Sequence, residues 1–306
     1  MLNTSRLRVL KEVIERGSFS AAADALSYSQ SAVSQAIATL EGEVGASLIE
    51  RDRRGVRPTH AGAALAAHAE GILARMEAAE TELAAIAGAR GGRLRIASFP
   101  TAGATLLPLA IARFAASHPG VDVTLAEGEP EEIAPRLRGG EFDLVLLFEF
   151  EGVGERLRTG MRRFELLDDP LHLALPRDHR LAARKRLRLE DLREEPWVQT
   201  SAASPCARHV VRSCHAAGFE PHVSFESDDY QTVQGLVAAR VGVALIPQLA
   251  LSTVRKDIRI RSLHPASPVR KVFAATPRGA AVTPAVATML DVLREVARGD
   301  RLAPAS

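Results

Sequence analysis

The stretch whose reading decides the fold is residues 17–41, GSFSAAADALSYSQSAVSQAIATLE. It reads as two short helices joined by a polar turn. Ser18 stands where an N-cap belongs, ahead of a helix over 19–26, because its hydroxyl can accept from orphan first-turn amides. The turn is Ser27-Tyr28-Ser29, and Ser29 caps a further helix that runs to about residue 41. In that helix Val33, Ile37, Leu40 and Val44 recur at helical spacing and face a core. Ser31, Ser34, Gln35 and Ala38 fall on the opposite side. A helix fixed by an apolar face while it presents small polar side chains is suited to the major groove of DNA.

The flanks agree with this reading. Residues 6–16 form an amphipathic helix with Leu7, Leu10 and Ile14 on one face, stopped by Gly17. After Gly45 comes a run with four arginines in seven residues, Arg51, Arg53, Arg54 and Arg57, and Gly55 among them implies a tight hairpin. A solvated basic loop would have the same composition, but beside a helix pair of this kind phosphate contact is the better reading. Thr59 then caps an Ala-rich helix through residue 87. Its apolar positions, Leu65, Ala69, Ile72, Met76, Ala79, Leu83 and Ile86, alternate steps of four and three over three heptads. That spacing is the signature of one helix pairing with another. The alternative is packing on its own domain, and the polar flanks His68, Glu70, Glu77, Glu80 and Glu82 favour pairing. A dimer is therefore expected.

The texture changes at the linker GARGGR, residues 88–93. Beyond it, strands are expected at 94–98, 121–127 and 142–148, with helices between them, which implies a parallel sheet with right-handed crossovers. Further strands are expected at 166–176, 197–201, 223–227, 242–247 and 269–277, and helices at 205–217, 229–239 and 283–297. Two α/β lobes result, the last strand returning to the first lobe. The expected organisation is an all-α winged helix-turn-helix domain over 1–60, a linker and dimerisation helix with its hinge over 61–90, and a two-lobed α/β domain over 91–300. Lobe I takes 91–165 plus 268–300 and lobe II takes 166–267.

Bulk composition sets outer limits. A chain of 306 residues suggests about two domains. Its 46% hydrophobic and 25% charged residues are ordinary for a globular protein, and 4% aromatics leave the core to Ala, Leu, Val and Ile. A net charge of +2 is too small to argue a nucleic-acid partner by itself, so local clustering must carry that case. Two cysteines give no disulfide framework. No apolar run reaches the ~20 residues of a membrane span, and charges interrupt the first residues where a signal peptide would be apolar. The expected location is the cytoplasm, with no membrane partner.

In an open α/β sheet, ligands bind beyond the carboxyl ends of the strands. Ser98 ends a strand, and Pro100 and Thr101 follow it at the start of a helix, where free amides favour an anion. Thr200 and Ser201 occupy the equivalent place in the other lobe. Such hydroxyls would suit a carboxylate, or they merely cap helices. Phe148, Glu129 and Glu149 lie at other strand ends and line the same expected cleft. The two carboxylates oppose a simple anion and favour an amine or a zwitterion, so carboxylate and amino acid both stand as ligand classes. Asp228 and Asp229 read as helix N-caps.

The chain resembles the LysR-type transcriptional regulators. The carriers are AAADALSYSQSAVSQAIATLEGEVGASLIER (21–51), VRPTHAG (56–62), the helix at 65–87, LPRDHRLA (175–182) and GLVAARVGVALIPQLAL (235–251), in order over essentially the whole chain. The resemblance implies a winged helix-turn-helix, a dimerising linker helix and a two-lobed effector domain like the type 2 periplasmic binding proteins. It implies assembly into dimers and tetramers, binding to interrupted palindromes in promoter DNA, contact with RNA polymerase, and a small effector between the lobes that changes DNA bending. It assigns Gln30, Ser31, Ser34 and Gln35 to the reading helix, and Arg51, Arg53 and Arg54 to the wing. Gln can read adenine bidentately and Ser can meet bases or phosphates. Many members carry Arg where Gln35 stands, which leaves the preferred base open. Thr101 matches the position whose hydroxyl often meets the effector.

Other classes have less support. Cys206 and His209 lie three apart on a helix, yet no orienting acid or oxyanion hole accompanies them, and no cofactor motif or metal-ligand spacing is recognisable. A binding protein without DNA activity would leave the first sixty residues unexplained. Some family members sense peroxide through two cysteines in this part of the second lobe. Cys206 and Cys214 are eight residues apart, a rise of about 12 Å on one helix, too far for a disulfide without unwinding. One of them is also displaced from that subgroup's pattern.

Overall fold

The computed structural model describes residues 2–52, 55–86, 92–151, 159–265, 267–279 and 282–299. The first helix, α1 (Thr4–Arg16), starts before the first apolar residue because the Asn3 side chain accepts from the amides of Ser5 and Arg6. Gly17, at φ +58°, ends it in the left-handed region. Ser18 and Ser29 cap α2 (Phe19–Leu26) and α3 (Gln30–Val44), as expected from their hydroxyls. The helix α3 runs three residues beyond the expected end, to Gly45. Val44 is 36% exposed there and is not a core residue, which corrects the sequence reading. Leu7, Leu10, Val33, Ile37 and Leu40 are buried together with Phe19, Ala22 and Ala23.

The hairpin is β1 (Ile49–Asp52) and β2 (Gly55–Pro58), antiparallel, with Asp52 opposite Gly55. Arg53 and Arg54 lie outside the described residues. The long helix α4 (His60–Ile86) follows. Thr59 both accepts from the Gly62 amide at 3.0 Å and donates to the Ser47 carbonyl at 2.7 Å, so it pins the start of α4 to the hairpin. Leu65 and Ala69 of the expected pairing stripe pack on the N-terminal core instead. The stripe is exposed farther along, at Ile72 (39%), Met76 (42%) and Leu83 (65%). The opposite side of α4 buries Ala74 and packs against a helix of the following domain.

That domain is built on a seven-stranded sheet. Its strands β3 (Gly92–Ser98), β4 (Val121–Glu127) and β5 (Leu144–Phe150) are parallel in the order β4-β3-β5. Between them run α5 (Pro100–Ala104), α6 (Leu106–Ser117) and α7 (Pro130–Gly139), the helix on which α4 rests. The expected single helix after Ser98 is two, broken at Thr105. The strand β6 (Met161–Pro176) is longer than expected and belongs to both lobes. Up to Pro170 it pairs with β11 (Val269–Pro277), and β11 in turn lies antiparallel to β5. From Leu171 onward it pairs with β9 (Ala244–Pro247) and β10 (Ile258–Arg261). The lobes thus exchange within one strand, at Pro170–Leu171, where Leu171 also donates to the Pro268 carbonyl.

Lobe II adds a parallel pair, β7 (Pro196–Gln199) and β8 (His222–Glu226), with helices α8 (Pro205–Ala216) and α9 (Tyr230–Ala238). The C-terminal α10 (Pro284–Gly299) packs back on α6 in lobe I. No helix among the described residues is long and apolar enough to cross a membrane.

Two glycines in α-helices make a sharp contrast. A Cβ on Gly62 would sit 1.9 Å from the Leu48 carbonyl oxygen, whereas a Cβ on Gly42 would meet nothing within 4 Å. Gly62→Ala is expected to destabilise the protein by about 1–3 kcal/mol through overpacking. Gly42→Ala is expected to stabilise it by up to about 1 kcal/mol through helix propensity. Equilibrium denaturation of both variants checks the pair, and equal effects would contradict the close approach of α4 to Leu48, just before β1.

Candidate nucleic-acid interface and interlobe site

Helix α3 is held by its buried Val33, Ile37 and Leu40. Gln30 is exposed at the start of the helix, and on the side away from the core Ser31 and Gln35 are exposed and Ser34 is half-buried. The Ser29 hydroxyl accepts from the Ala32 amide at 3.2 Å and lies 2.9 Å from Ser31 Oγ, so the first turn is a fixed polar surface. Tyr28, 52% exposed in the turn, adds an aromatic ring that the sequence reading did not include. The far end of α3 is fastened by Glu41, whose Oε1 accepts from the amides of Leu48 (2.7 Å) and Ile49 (3.3 Å). The Val56 amide donates to the Gly17 carbonyl, so the hairpin docks against the end of α1, at the turn into α2. Arg51 lies in β1 opposite Val56, and Arg57 is exposed on β2.

The interlobe cavity holds about 20 Å³ and is lined by Pro100, Thr101, Glu129, Phe148 and Thr200 from the expected set. Ser98 is buried and donates to the Phe99 carbonyl. The Ser201 amide donates to Asp228. Neither lines the cavity. Glu149 does not either: it is buried in β5 and paired with Arg163 at 2.7 Å, which corrects its expected place in the cleft. Asp229 caps α9 as expected, accepting from Gln231 and Thr232. Asp228 does not cap it and stands at the cavity's edge.

The group that organises this cleft was not read from the sequence. Arg270 is 2% exposed and faces Asp169, which is fully buried. Nε of Arg270 donates to Asp169 Oδ2 at 2.7 Å, Nη2 donates to Thr101 Oγ1 at 2.5 Å, and Nη1 lies 3.8 Å from Cys206 Sγ. The guanidinium also sits 4.9 Å and 4.6 Å from the ring centres of Phe99 and Phe148. Burial works against its charge, and Asp169, with Cys206 and Tyr230, holds its pKa above the ordinary arginine value. The one available signal was a single arginine inside an apolar strand, VRKVFAATP.

Burial raises the Glu129 carboxyl to about 7; Arg270 opposes the shift, while Glu131, Asp228 and Glu132 add to it. Burial likewise raises the thiols of Cys206 and Cys214, the latter to about 12. Across the cleft, His209 of α8 stacks on Phe150 of β5 at 3.9 Å, and burial, with Arg212 nearby, lowers its pKa to about 4. Arg208 pairs with Glu131 at the rim, joining α8 to α7. Among the described residues no group of three His, Cys, Asp or Glu side chains is placed to hold a metal ion.

Two family models match the chain. Residues 4–63 match "Bacterial regulatory helix-turn-helix protein, lysR family", and residues 87–298 match "LysR substrate binding domain". The chain is 34% identical over 302 residues to the probable HTH-type transcriptional regulator LrrA of Synechococcus elongatus, covering 97% of this chain and 98% of that one. It is 31% identical to a probable hydrogen peroxide-inducible genes activator of Mycobacterium avium (86% and 83% covered). It is 30% identical to the transcriptional dual regulator GltC of Bacillus subtilis (83% and 84%). In fold it is similar to a full-length OxyR variant of Pseudomonas aeruginosa, with TM-score 0.74, 23% identity and 97% of each chain covered. It is similar also to CbnR complexed with its target DNA, with TM-score 0.70, 23% identity and 96% and 100% covered.

The raised Glu129 gives a pH test with a definite sign. Its native pKa of about 7 exceeds the ordinary 4.5, so the native state binds more protons than the unfolded chain between those values. Stability therefore falls as pH rises through that window. Glu129→Gln is expected to match the wild type near pH 4.5 and to exceed it at pH 8, by on the order of 1–2 kcal/mol. Thermal denaturation at the two pH values checks this. His209 titrates with the opposite sign below pH 6.5, so the comparison is variant against wild type at each pH.

Proposed function

The chain belongs to the LysR family of bacterial transcriptional regulators, and from that premise we propose that it acts as a dimer on double-stranded promoter DNA. In this reading α3 lies in the major groove with Gln30, Ser31, Ser34 and Gln35 toward the bases. The hairpin cations Arg51, Arg53 and Arg54 meet phosphates beside it. The observation that carries the proposal is the exposed polar surface made by Gln30 at the start of α3 and by Ser31 and Gln35 on its outer side, on a helix fixed by buried Val33, Ile37 and Leu40. Small neutral side chains let the helix approach base edges, and phosphate contacts set its register. The protein works in the cytoplasm, catalyses no reaction, and its target is an interrupted palindrome.

The exposed stripe Ile72, Met76, Ala79 and Leu83 on α4 is assigned to a second copy of the chain, and pairs of dimers to a tetramer that presents itself to RNA polymerase. A small effector binds between the lobes. Its control of DNA follows from connectivity: β6 and β11 carry any change of lobe angle to lobe I, and α7 of lobe I bears on α4. An effector shifts this equilibrium only by its differential affinity for the two arrangements.

A thiol switch through a Cys206–Cys214 bridge is less favoured. Both residues belong to α8, at a rise of about 12 Å, and burial holds both thiols protonated.

Gel shifts with the intergenic DNA upstream of the protein's own gene test the proposal. Gln35→Ala is expected to weaken binding about 5- to 150-fold, the range of one bidentate base contact. Arg54→Ala is expected to lower affinity across sequences and to reduce the salt slope by about 1. If the intact protein shifts no promoter fragment at low salt, with or without a small-molecule extract, the proposal fails.

A further inference from the structure

We propose that the interlobe cleft takes an α-amino acid, its carboxylate at Arg270 and its ammonium between Glu129 and Asp228. This rests on the reading of the two lobes as an effector-binding domain.

The argument is one of charge sorting. Arg270 is the cation of the cleft, and its charge is already balanced by Asp169 at 2.7 Å. Glu129 and Asp228 then add carboxylates without adding cations, and Asp228 lies close enough to raise the cost of ionising Glu129. Above about pH 7, where Glu129 is ionised, a simple carboxylate would bring a further negative charge into a site that already carries an excess. A simple amine would relieve Glu129 and Asp228 but leave the guanidinium edge without a strong acceptor: among the described residues Nη1 has as its hydrogen-bond partner a thiol sulfur at 3.8 Å, a weak acceptor. A dipolar ligand adds no net charge and satisfies both ends. The hydroxyl of Thr101 and that of one member of the Thr200–Ser204 pair, whose hydroxyls bond each other at 2.5 Å, supply further donors to a carboxylate.

The distribution over the lobes gives such a ligand a mechanical effect. Arg270, Thr101 and Glu129 belong to lobe I, and Thr200, Ser204 and Asp228 to lobe II. With about 20 Å³ between them, the lobes as they stand admit no more than a water-sized guest. An amino acid must part them and then bridge them, so its two charges hold the lobes at a separation set by the ligand's own length.

Thermal-shift measurements on the full-length protein test this, with the common L-amino acids, their deamino carboxylates and their decarboxylated amines as probes. A dialysable cell extract serves as a separate sample. The expected result is that at least one amino acid raises the melting temperature by roughly 5–10 °C at saturation, while its two truncated analogues do not. Glu129→Gln/Asp228→Asn is expected to lose that response and to gain one to the deamino carboxylate, because the repelling charges are gone. Gel shifts on the double variant serve as a folding control. Stabilisation by a carboxylate or an amine as strong as by the amino acid overturns the inference. A response to the extract with none to any amino acid overturns it too, while leaving the effector reading intact. No response to either sinks both.

Discussion

The ion pair between Arg270 and Asp169 governs the rest of this structure. The two residues are directly opposite one another in the β11–β6 ladder, and both are sealed from water. Taking a guanidinium and a carboxylate out of water costs several kcal/mol per ion, which the pair offsets only with good geometry and further hydrogen bonds. Here those bonds come from both lobes. Asp169 accepts the amide of Leu249 in lobe II, and Arg270 donates to Thr101 in lobe I. The pair lies one residue before β6 passes from one lobe to the other. Removing either partner would strand a charge at the point where the lobes exchange strands.

Around that pair the molecule is layered by apolar contact. The parallel strands β4-β3-β5 bury Leu94, Ile96, Leu144 and Leu146 beneath α6 and α10. Phe99, Phe148 and Phe150 meet edge to face along the cleft, at 4.9 Å and 6.0 Å between ring centres. His209 extends this aromatic row into lobe II as a neutral ring. The cleft therefore has an apolar, aromatic wall on which a few polar groups are placed, the usual build of a small-ligand site.

Local chemistry was legible in the sequence wherever the signal was local. Ser18, Ser29, Thr59 and Asp229 cap the helices they were expected to cap, because a cap depends on the next three residues alone. The strand at 269–277 appeared with its expected bounds, because its apolar run is uninterrupted beyond Arg270 and Lys271. What could not be read was long-range. Arg270 and Thr101 are 169 residues apart, and nothing in either neighbourhood announces the other. Glu149 shared its strand-end position with Glu129, but strand alternation turned it toward Arg163. The heptad pattern of α4 implies one stripe for one partner, and the structure divides it. Leu65 and Ala69 go to the N-terminal core, because a helix that leaves a small domain must first be anchored to it.

The contact between Gly71 and Gly139 sets the leverage of the whole molecule. A Cβ on Gly71 would lie 2.7 Å from the Gly139 carbonyl oxygen, so α4 and α7 meet backbone to backbone with no side chain as cushion. Such a bearing transmits angle without slack. From Gly71 to the start of α4 is roughly 16 Å along the helix axis. A tilt of lobe I by about 5° about that bearing displaces the head of α4 by about 1.5 Å, which is the rise of one helical residue. A small lobe movement is therefore enough to shift the N-terminal domain, into whose core Leu65 and Ala69 of α4 are packed.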